Sequence, residues 1–269
     1  MQPLQAWPAA ARAGLVGVLT DIDDTLTTEG VVGPEVVRAL QSLADAGLHV
    51  IPITGRPVGW SEPFAKVWPV DAIVAENGAV ALTHRGADAP LRKLYVQDAA
   101  TRAANYARMQ EVAQRIVREV PGATISQDSG GRETDIAIDH SEFAHLPQEA
   151  IDQVVALMRS QGMNATVSSI HVNGWYGDHN KLSGARWIVR ELLGRDLEAE
   201  RGRWVYVGDS TNDVLMFEHF EHSVGVANIR RFEEQLAFKP RYVTQGERGA
   251  GFAELARAIL EARDLSSRA

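Results

Sequence analysis

The segment Leu15-Val16-Gly17-Val18-Leu19-Thr20-Asp21-Ile22-Asp23-Asp24-Thr25 sets an apolar run directly before three carboxylates. Leu15 to Thr20 is short and rich in β-formers, which predicts a buried strand ending at Asp21. Three acids packed this closely at a strand end repel one another, so the arrangement costs stability or shifts pKa values unless a cation is bound. An acidic turn or a helix cap is the plainer alternative for such a cluster.

The pattern repeats outward from this strand. Pro34 suits the first turn of a helix to Ala46, whose face is formed by Val36, Val37, Leu40, Leu43 and Ala44, and Gly47 stops it. A strand over Leu48 to Ile53 ends at Thr54-Gly55-Arg56, and Ala72 to Ala75 ends at Glu76-Asn77-Gly78. Near the C-terminus, a helix over Leu182 to Leu193 precedes a strand over Trp204 to Val207. A helix over Thr211 to Phe220, a strand over Val224 to Ala227 and a helix over Phe252 to Ala262 complete the series. Such alternation implies an α/β fold, a doubly wound parallel sheet of Rossmann-like type. The middle differs. A strand over Leu91 to Val96, a helix over Thr101 to Val120, a hairpin around Ser129-Gly130-Gly131, a helix over Pro147 to Gln161 and strand over Asn164 to Trp175 predict an inserted α+β unit. The expected division is core 1–84, insert 85–176 and core 177–269.

Composition bounds the function. The chain has 269 residues, a formal net charge of -8, no cysteine and eight histidines. The acidic balance argues against a general nucleic-acid binder. Disulfides and thiolate chemistry are excluded. The histidines show no HExxH spacing, which argues against that zinc motif. Met1 to Ala13 lack a basic stretch followed by an apolar core, and no apolar run suits a membrane span, so a cytoplasmic protein is expected. The loop Gly246 to Gly251 matches no nucleotide-binding pattern.

Ligands of open parallel sheets sit beyond the carboxyl ends of the strands, so Asp21, Thr54 and Asp209 are expected to converge. Gly208-Asp209-Ser210-Thr211-Asn212-Asp213 is a second acidic cluster, readable as a helix start or as metal ligands, the two being compatible. Lys181 at a helix start favours an anion. Thr54-Gly55-Arg56 offers a hydroxyl, an unobstructed backbone and a guanidinium fork for phosphate.

Together these residues resemble the haloacid dehalogenase-like phosphohydrolase superfamily. Its DxDx(T/V) motif is matched by Asp21, Asp23 and Thr25, its second by Thr54, its lysine by Lys181 and its GDxxND motif by Gly208 to Asp213. The insert and the Ala75-Glu76-Asn77-Gly78-Ala79 turn resemble the subgroup with a C2-type cap, near Cof-type and sucrose-phosphate phosphatase-like enzymes; Leu182 stands where the family often has glycine after the lysine. The resemblance implies a phosphatase for a small phosphate monoester, such as a sugar phosphate, with Asp21 as nucleophile and Asp23 as general acid and base. It implies Mg²⁺ on Asp21, Asp209 and the main-chain carbonyl of Asp23, with Asp213 and Asn212 nearby. Thr54, Gly55, Lys181 and Asn212 would hold the phosphoryl group. Arg56, Asn77, Arg132 and Trp175 are candidates for substrate contact, and Tyr176 and His179 also lie where the insert rejoins the core. A phosphomannomutase-type phosphomutase and a non-catalytic sugar-phosphate binder are the alternatives. The chain gives no sign of its oligomeric state.

Overall fold

In a computed structural model of the protein, residues 1–84 and 89–267 are described. The expected boundary at residue 85 lies outside them. Strand β1 (Gln2–Pro3) and helix α1 (Ala9–Ala13) precede β2 (Gly17–Thr20), and β3 (Thr27–Thr28) pairs with β4 (Val31–Val32) in a small hairpin. Helix α2 (Pro34–Asp45) then leads to β5 (His49–Pro52), and α3 (Val58–Val67) to β6 (Ile73–Ala75), β7 (Val80–Thr83) and β8 (Arg92–Tyr95). The middle of the chain supplies α4 (Ala99–Glu119), β9 (Thr124–Ile125), β10 (Ile136–Asp139), α5 (Gln148–Ser160), β11 (Asn164–Val167) and β12 (His171–Trp175). Helix α6 (Lys181–Leu193), β13 (Trp204–Gly208), α7 (Val214–His219), β14 (His222–Gly225), β15 (Tyr242–Val243) and α8 (Arg248–Ser267) follow.

Among the described residues, six strands form a parallel sheet in the order β1-β15-β14-β13-β2-β5. A single parallel bridge, Ile53 to Val74, joins this sheet to the antiparallel set β6-β7-β8. Alternate side chains of the central strands feed two hydrophobic clusters. Val18, Val50 and Val205 pack with α2 and α8 on one face, whereas Leu19, Ile51 and Tyr206 pack with α6 and α7 on the other. Burial on both faces explains why these strands read as continuous apolar runs. Each such side chain contributes about 1.5–3 kcal/mol on burial.

The insert folds around a third cluster of its own, in which Met109, Ile116, Ile138, Val154 and Trp175 are buried. Its antiparallel sheet runs β11-β12-β10-β9 with α4 and α5 packed on it. The two connections to the core are tied to each other, because Gln97 Nε2 donates to the Tyr176 carbonyl at 3.0 Å.

Several elements depart from the sequence reading. The strand expected over Leu91 to Val96 pairs with β7, so it extends the core's sheet rather than the insert's. The expected hairpin around Ser129 is broken by a 3-10 turn over Gln127–Gly131, and only Thr124–Ile125 pairs back on β10. The single helix expected over Thr211 to Phe220 is a 3-10 turn, Thr211–Asp213, followed by the short α7. Helix α3 has no counterpart in that reading. It contains Pro63, but Trp60, Phe64 and Trp68 recur every fourth residue and pack tilted against one another, with ring centroids 4.4 and 4.8 Å apart.

Candidate active site

Two parallel strands deliver the acidic residues to one place. Asp21 follows β2, and Asp209 follows its neighbour β13; the Asp21 N–H donates to the Val207 carbonyl at 2.8 Å, which fixes the two strand ends together. One carboxylate oxygen from each of Asp21, Asp209 and Asp213 lies within 4.8 Å of the others, and all three residues are buried. Lys181 is the first residue of α6. Asn180 caps that helix, accepting from the Leu182 and Ser183 N–H groups at 3.0 and 2.9 Å. From there the buried Lys181 Nζ reaches Asp21 Oδ1 at 3.0 Å and Asp213 Oδ1 at 2.7 Å.

The position of Lys181 is set by backbone contact. Glu76, Asn77 and Gly78 form a left-handed turn, with Gly78 at φ +106°, and a Cβ on Gly78 would fall 2.2 Å from the Asn180 carbonyl oxygen. Gly184 on α6 faces Gly78 just as closely. Only glycine at both places lets the turn press against the first turn of the helix.

The charges at this site do not balance. Burial pushes the Asp21 carboxyl up to about 7 against the pull of Lys181, and burial together with Asp21 and Asp213 pushes Asp209 well above the carboxylate range. Lys181 is driven up by the two carboxylates it touches, despite its own burial. Three buried acids and one ammonium leave an excess of negative charge.

Asp213 is saturated. Its Oδ1 accepts from Lys181 Nζ and the Tyr206 hydroxyl, and its Oδ2 accepts from the N–H groups of Asp209 and Ser210 at 3.0 and 3.2 Å. Asp21 and Asp209 are not. Asp21 Oδ1 accepts from the Ile22 N–H at 2.8 Å besides facing Lys181, and among the described residues nothing donates to its Oδ2. Asp209 accepts two long bonds, from the Thr25 hydroxyl and Asn228 Nδ2, each 3.2 Å. A carboxylate offers about four lone-pair sites, so both retain capacity for a hard cation with oxygen ligands. The donor set fits Mg²⁺.

The other expected residues lie around this cluster. Thr54 is fully buried and its Oγ1 accepts from the Arg56 N–H at 3.0 Å. The Gly55 carbonyl accepts from Arg132 NH1 at 3.0 Å and Asn173 Nδ2 at 3.3 Å. Asn77 and Asn173 both donate to Asp135 Oδ2, and Arg132 pairs with Asp135 Oδ1 at 2.7 Å. Asn77 and Arg132 are thus members of a buried network that seats the insert on the loop after β5. Trp175 is 2% exposed, packs in the insert's core and donates its indole N–H to the His179 carbonyl at 2.8 Å. Burial pushes the His179 imidazole down to about 4, so its ring is neutral. Asn212 accepts from the Ser210 hydroxyl at 3.0 Å.

Two openings flank the carboxylates. One of about 370 Å³ is lined by Asn77, Lys181 and Asn212, the other of about 420 Å³ by Asp23, Arg56, Glu142 and Phe143. A larger cavity of about 590 Å³, around His49, Asp71 and Arg92, contains none of the cluster. Arg56 does not point to a free phosphate site. Its Nε donates to both oxygens of Asp23, at 2.9 and 3.0 Å.

Sequence reasoning missed Tyr206, Asn228 and Glu76. Asn228 lies just past the end of β14 and joins Asp209 to the Asp24 carbonyl and the Arg248 N–H. Following the fourth strand end as closely as the other three finds it. Glu76 accepts from the N–H groups of Val58, Glu133 and Thr134 and from the Thr134 hydroxyl, joining α3 to the insert.

Comparison with known proteins agrees with this arrangement. The sequence profile of the haloacid dehalogenase-like hydrolases matches residues 18–135. No curated protein matches the sequence. The fold is similar to that of a Thermoplasma acidophilum protein (TM-score 0.68, 15% identity, 91% of this chain and 98% of that one). It is also similar to a HAD/COF-like hydrolase from Plasmodium vivax (0.67, 15%, 94% and 98%) and to the sucrose-phosphatase of Synechocystis, solved with sucrose and phosphate (0.64, 16%, 91% and 97%). At these identities the likeness is one of fold. The acidic motifs and the lysine gather at the strand ends of that fold, and residues 18–135, which include its first core strands, are similar to the haloacid dehalogenase-like hydrolases.

Proposed function

We propose that the protein is a Mg²⁺-dependent phosphatase acting on a small phosphate monoester, of the sugar-phosphate class, through an aspartyl-phosphate on Asp21. The observation that carries this reading is the unsaturated pair Asp21 and Asp209, buried beside Lys181 at adjacent strand ends. Asp21 Oδ2 has no competing donor among the described residues and is the oxygen to attack phosphorus in line. As the ester bond breaks, the alkoxide takes the proton of Asp23; burial raises the pKa of that carboxyl despite the opposing Arg56 charge, which favours its holding a proton. A water then attacks the phosphorus, Asp23 accepts its proton, and inorganic phosphate leaves with Asp21 restored. Lys181, kept in place by Asp213, and the Thr54–Gly55 loop stabilise the charge on the phosphoryl oxygens. Asp21, Asp209 and the Asp23 carbonyl would hold Mg²⁺, whose positive charge would let these carboxylates and a phosphate dianion share one cleft.

The setting supports this class of substrate. A polar, insert-covered cleft suits a hydroxylated leaving group, and the sucrose-phosphatase that shares the fold acts in that class. The test is phosphate release from a panel of sugar phosphates and other metabolite esters with Mg²⁺, with EDTA and with Ca²⁺. Release with Mg²⁺, its loss in EDTA and poor replacement by Ca²⁺ are expected. Full turnover after metal removal sinks the reading.

A further inference from the structure

Arg56 joins the expected acid to the insert. Its side chain is 6% exposed and lies over the Trp60 ring at 5.2 Å. Nε holds both oxygens of Asp23; NH2 donates to Glu142 Oε1 at 2.9 Å and NH1 faces Asp128 Oδ2 at 3.4 Å. The last two come from separate segments of the insert. Each is fixed independently. Asp128 is bound by Arg132 and by the Ser126 hydroxyl, and Glu142 Oε2 pairs with His171 Nε2 at 2.9 Å. The loop that carries Glu142 is itself pinned, because the Asp139 carboxylate accepts from four successive N–H groups, Ser141 to Ala144.

We propose that Arg56 is a positioning residue: clamped by Glu142 and Asp128 of the seated insert, its guanidinium fixes the side chain of Asp23, whose carboxyl group gives its proton to the leaving group. The proposal rests on the phosphatase reading above. A planar fork with five donors can hold Asp23 and both insert carboxylates at once, whereas an ammonium is a point charge. Substrate enters with the insert raised, when Glu142 and Asp128 are withdrawn; the acid is aligned when the insert closes. Arg56 thereby makes proton donation conditional on closure. This differs from a phosphate fork, which would act equally on every ester.

The experiment uses that difference. kcat/KM reports the steps up to phosphoryl transfer, so a fault in proton donation harms esters with basic leaving groups and spares those with stable ones. Arg56→Gln, Arg56→Lys and Glu142→Gln are assayed with Mg²⁺ on glycerol 2-phosphate and para-nitrophenyl phosphate, after Tm and circular dichroism show them folded. A general acid is worth about 100-fold or more, so Arg56→Gln should lose about 100-fold in kcat/KM on glycerol 2-phosphate and only a few-fold on the aryl ester. Arg56→Lys, which keeps the charge and tests the fork, should show the same selective loss to a smaller degree, as should Glu142→Gln. Groups acting as one unit are not additive, so adding Arg56→Gln to Asp23→Asn should change the alkyl rate by less than about twofold. A uniform loss on both esters, no loss on either, or additivity with Asp23→Asn overturns the proposal. Absence of phosphate release by the wild type from every ester sinks the phosphatase reading itself; release by the wild type with a uniform loss in the variants sinks only the role of Arg56.

Discussion

Two sets of buried carboxylates do opposite work in this molecule. Glu76 and Asp139, where the insert meets the core and within the insert, each collect four protein donors. Asp21 and Asp209, at the strand ends, have fewer protein donors, and the ammonium of Lys181 touches Asp21 and Asp213 but not Asp209. Burying a carboxylate is costly in both places. In the first set hydrogen bonds offset part of the cost and the group becomes part of the scaffold. In the second the cost stands, and the unused lone pairs are what a cation and a phosphorus atom need. Burial alone does not distinguish a structural acid from a chemical one; the tally of its donors does.

The sharpest way to break this contrast is at Asp21. Asp21→Asn should lower turnover by about 10⁴-fold or more, as removal of a nucleophile does, while Tm in the absence of metal stays level or rises because one repelling charge is gone. Wild-type turnover in this variant would move the nucleophile elsewhere. A fall in Tm would show that Asp21 belongs with the scaffold acids.

Metal binding tests the same contrast without an assay of activity. Ligation to the native state alone adds about 2.7 kcal/mol at a hundredfold excess over Kd. Wild-type protein should gain about this much in urea unfolding with saturating Mg²⁺, and Asp209→Asn should gain little. Equal gains in both would place the cation away from Asp209.

A scaffold acid should respond the other way. Glu76→Gln leaves donors facing an amide, and breaking a buried, hydrogen-bonded charge costs about 3 kcal/mol; urea unfolding should register this with m unchanged. A stability equal to wild type would mean that the Glu76 bonds are dispensable. Asp139→Asn should cost less, about 1 kcal/mol, since the loop it holds, Ser141 to Ala144, is partly exposed. Its mark should be faster amide exchange at Ser141 to Ala144, and unchanged exchange there would sink the pinning role of Asp139.

Most of the central sheet was legible in the sequence because strands buried on both faces leave long apolar runs, and each run ended in a polar residue. The site was legible to the extent that its groups follow those strands directly: Asp21, Thr54, Asp209, and Lys181 just after a cap residue. What the sequence did not disclose depends on partners far away in the chain. Arg56 looked free to hold phosphate, but its acids lie 33, 72 and 86 residues away. Arg132 and Trp175 read as candidates for substrate contact, and in the fold the first is locked to Asp135 and the second fills the insert's core. Helix α3 was hidden by Pro63 and by a face made of aromatic rather than aliphatic residues. Strand β7 is short, and its pairing with β8 is a matter of tertiary register, not of composition.

The strand order also fixes a sequence of events during synthesis. β2 lies between β5, which leaves the ribosome soon after it, and β13, which follows the whole insert. The insert, with a hydrophobic cluster of its own, is complete in the nascent chain while β2 still has an open edge. Domains fold as units in the order they emerge, so the insert can fold before the sheet it covers is closed. Non-local strand pairing is the slow step for such topologies. Asp21 therefore meets Asp209 only as the last core strands dock, and an incomplete chain is spared the repulsion that the finished protein must hold.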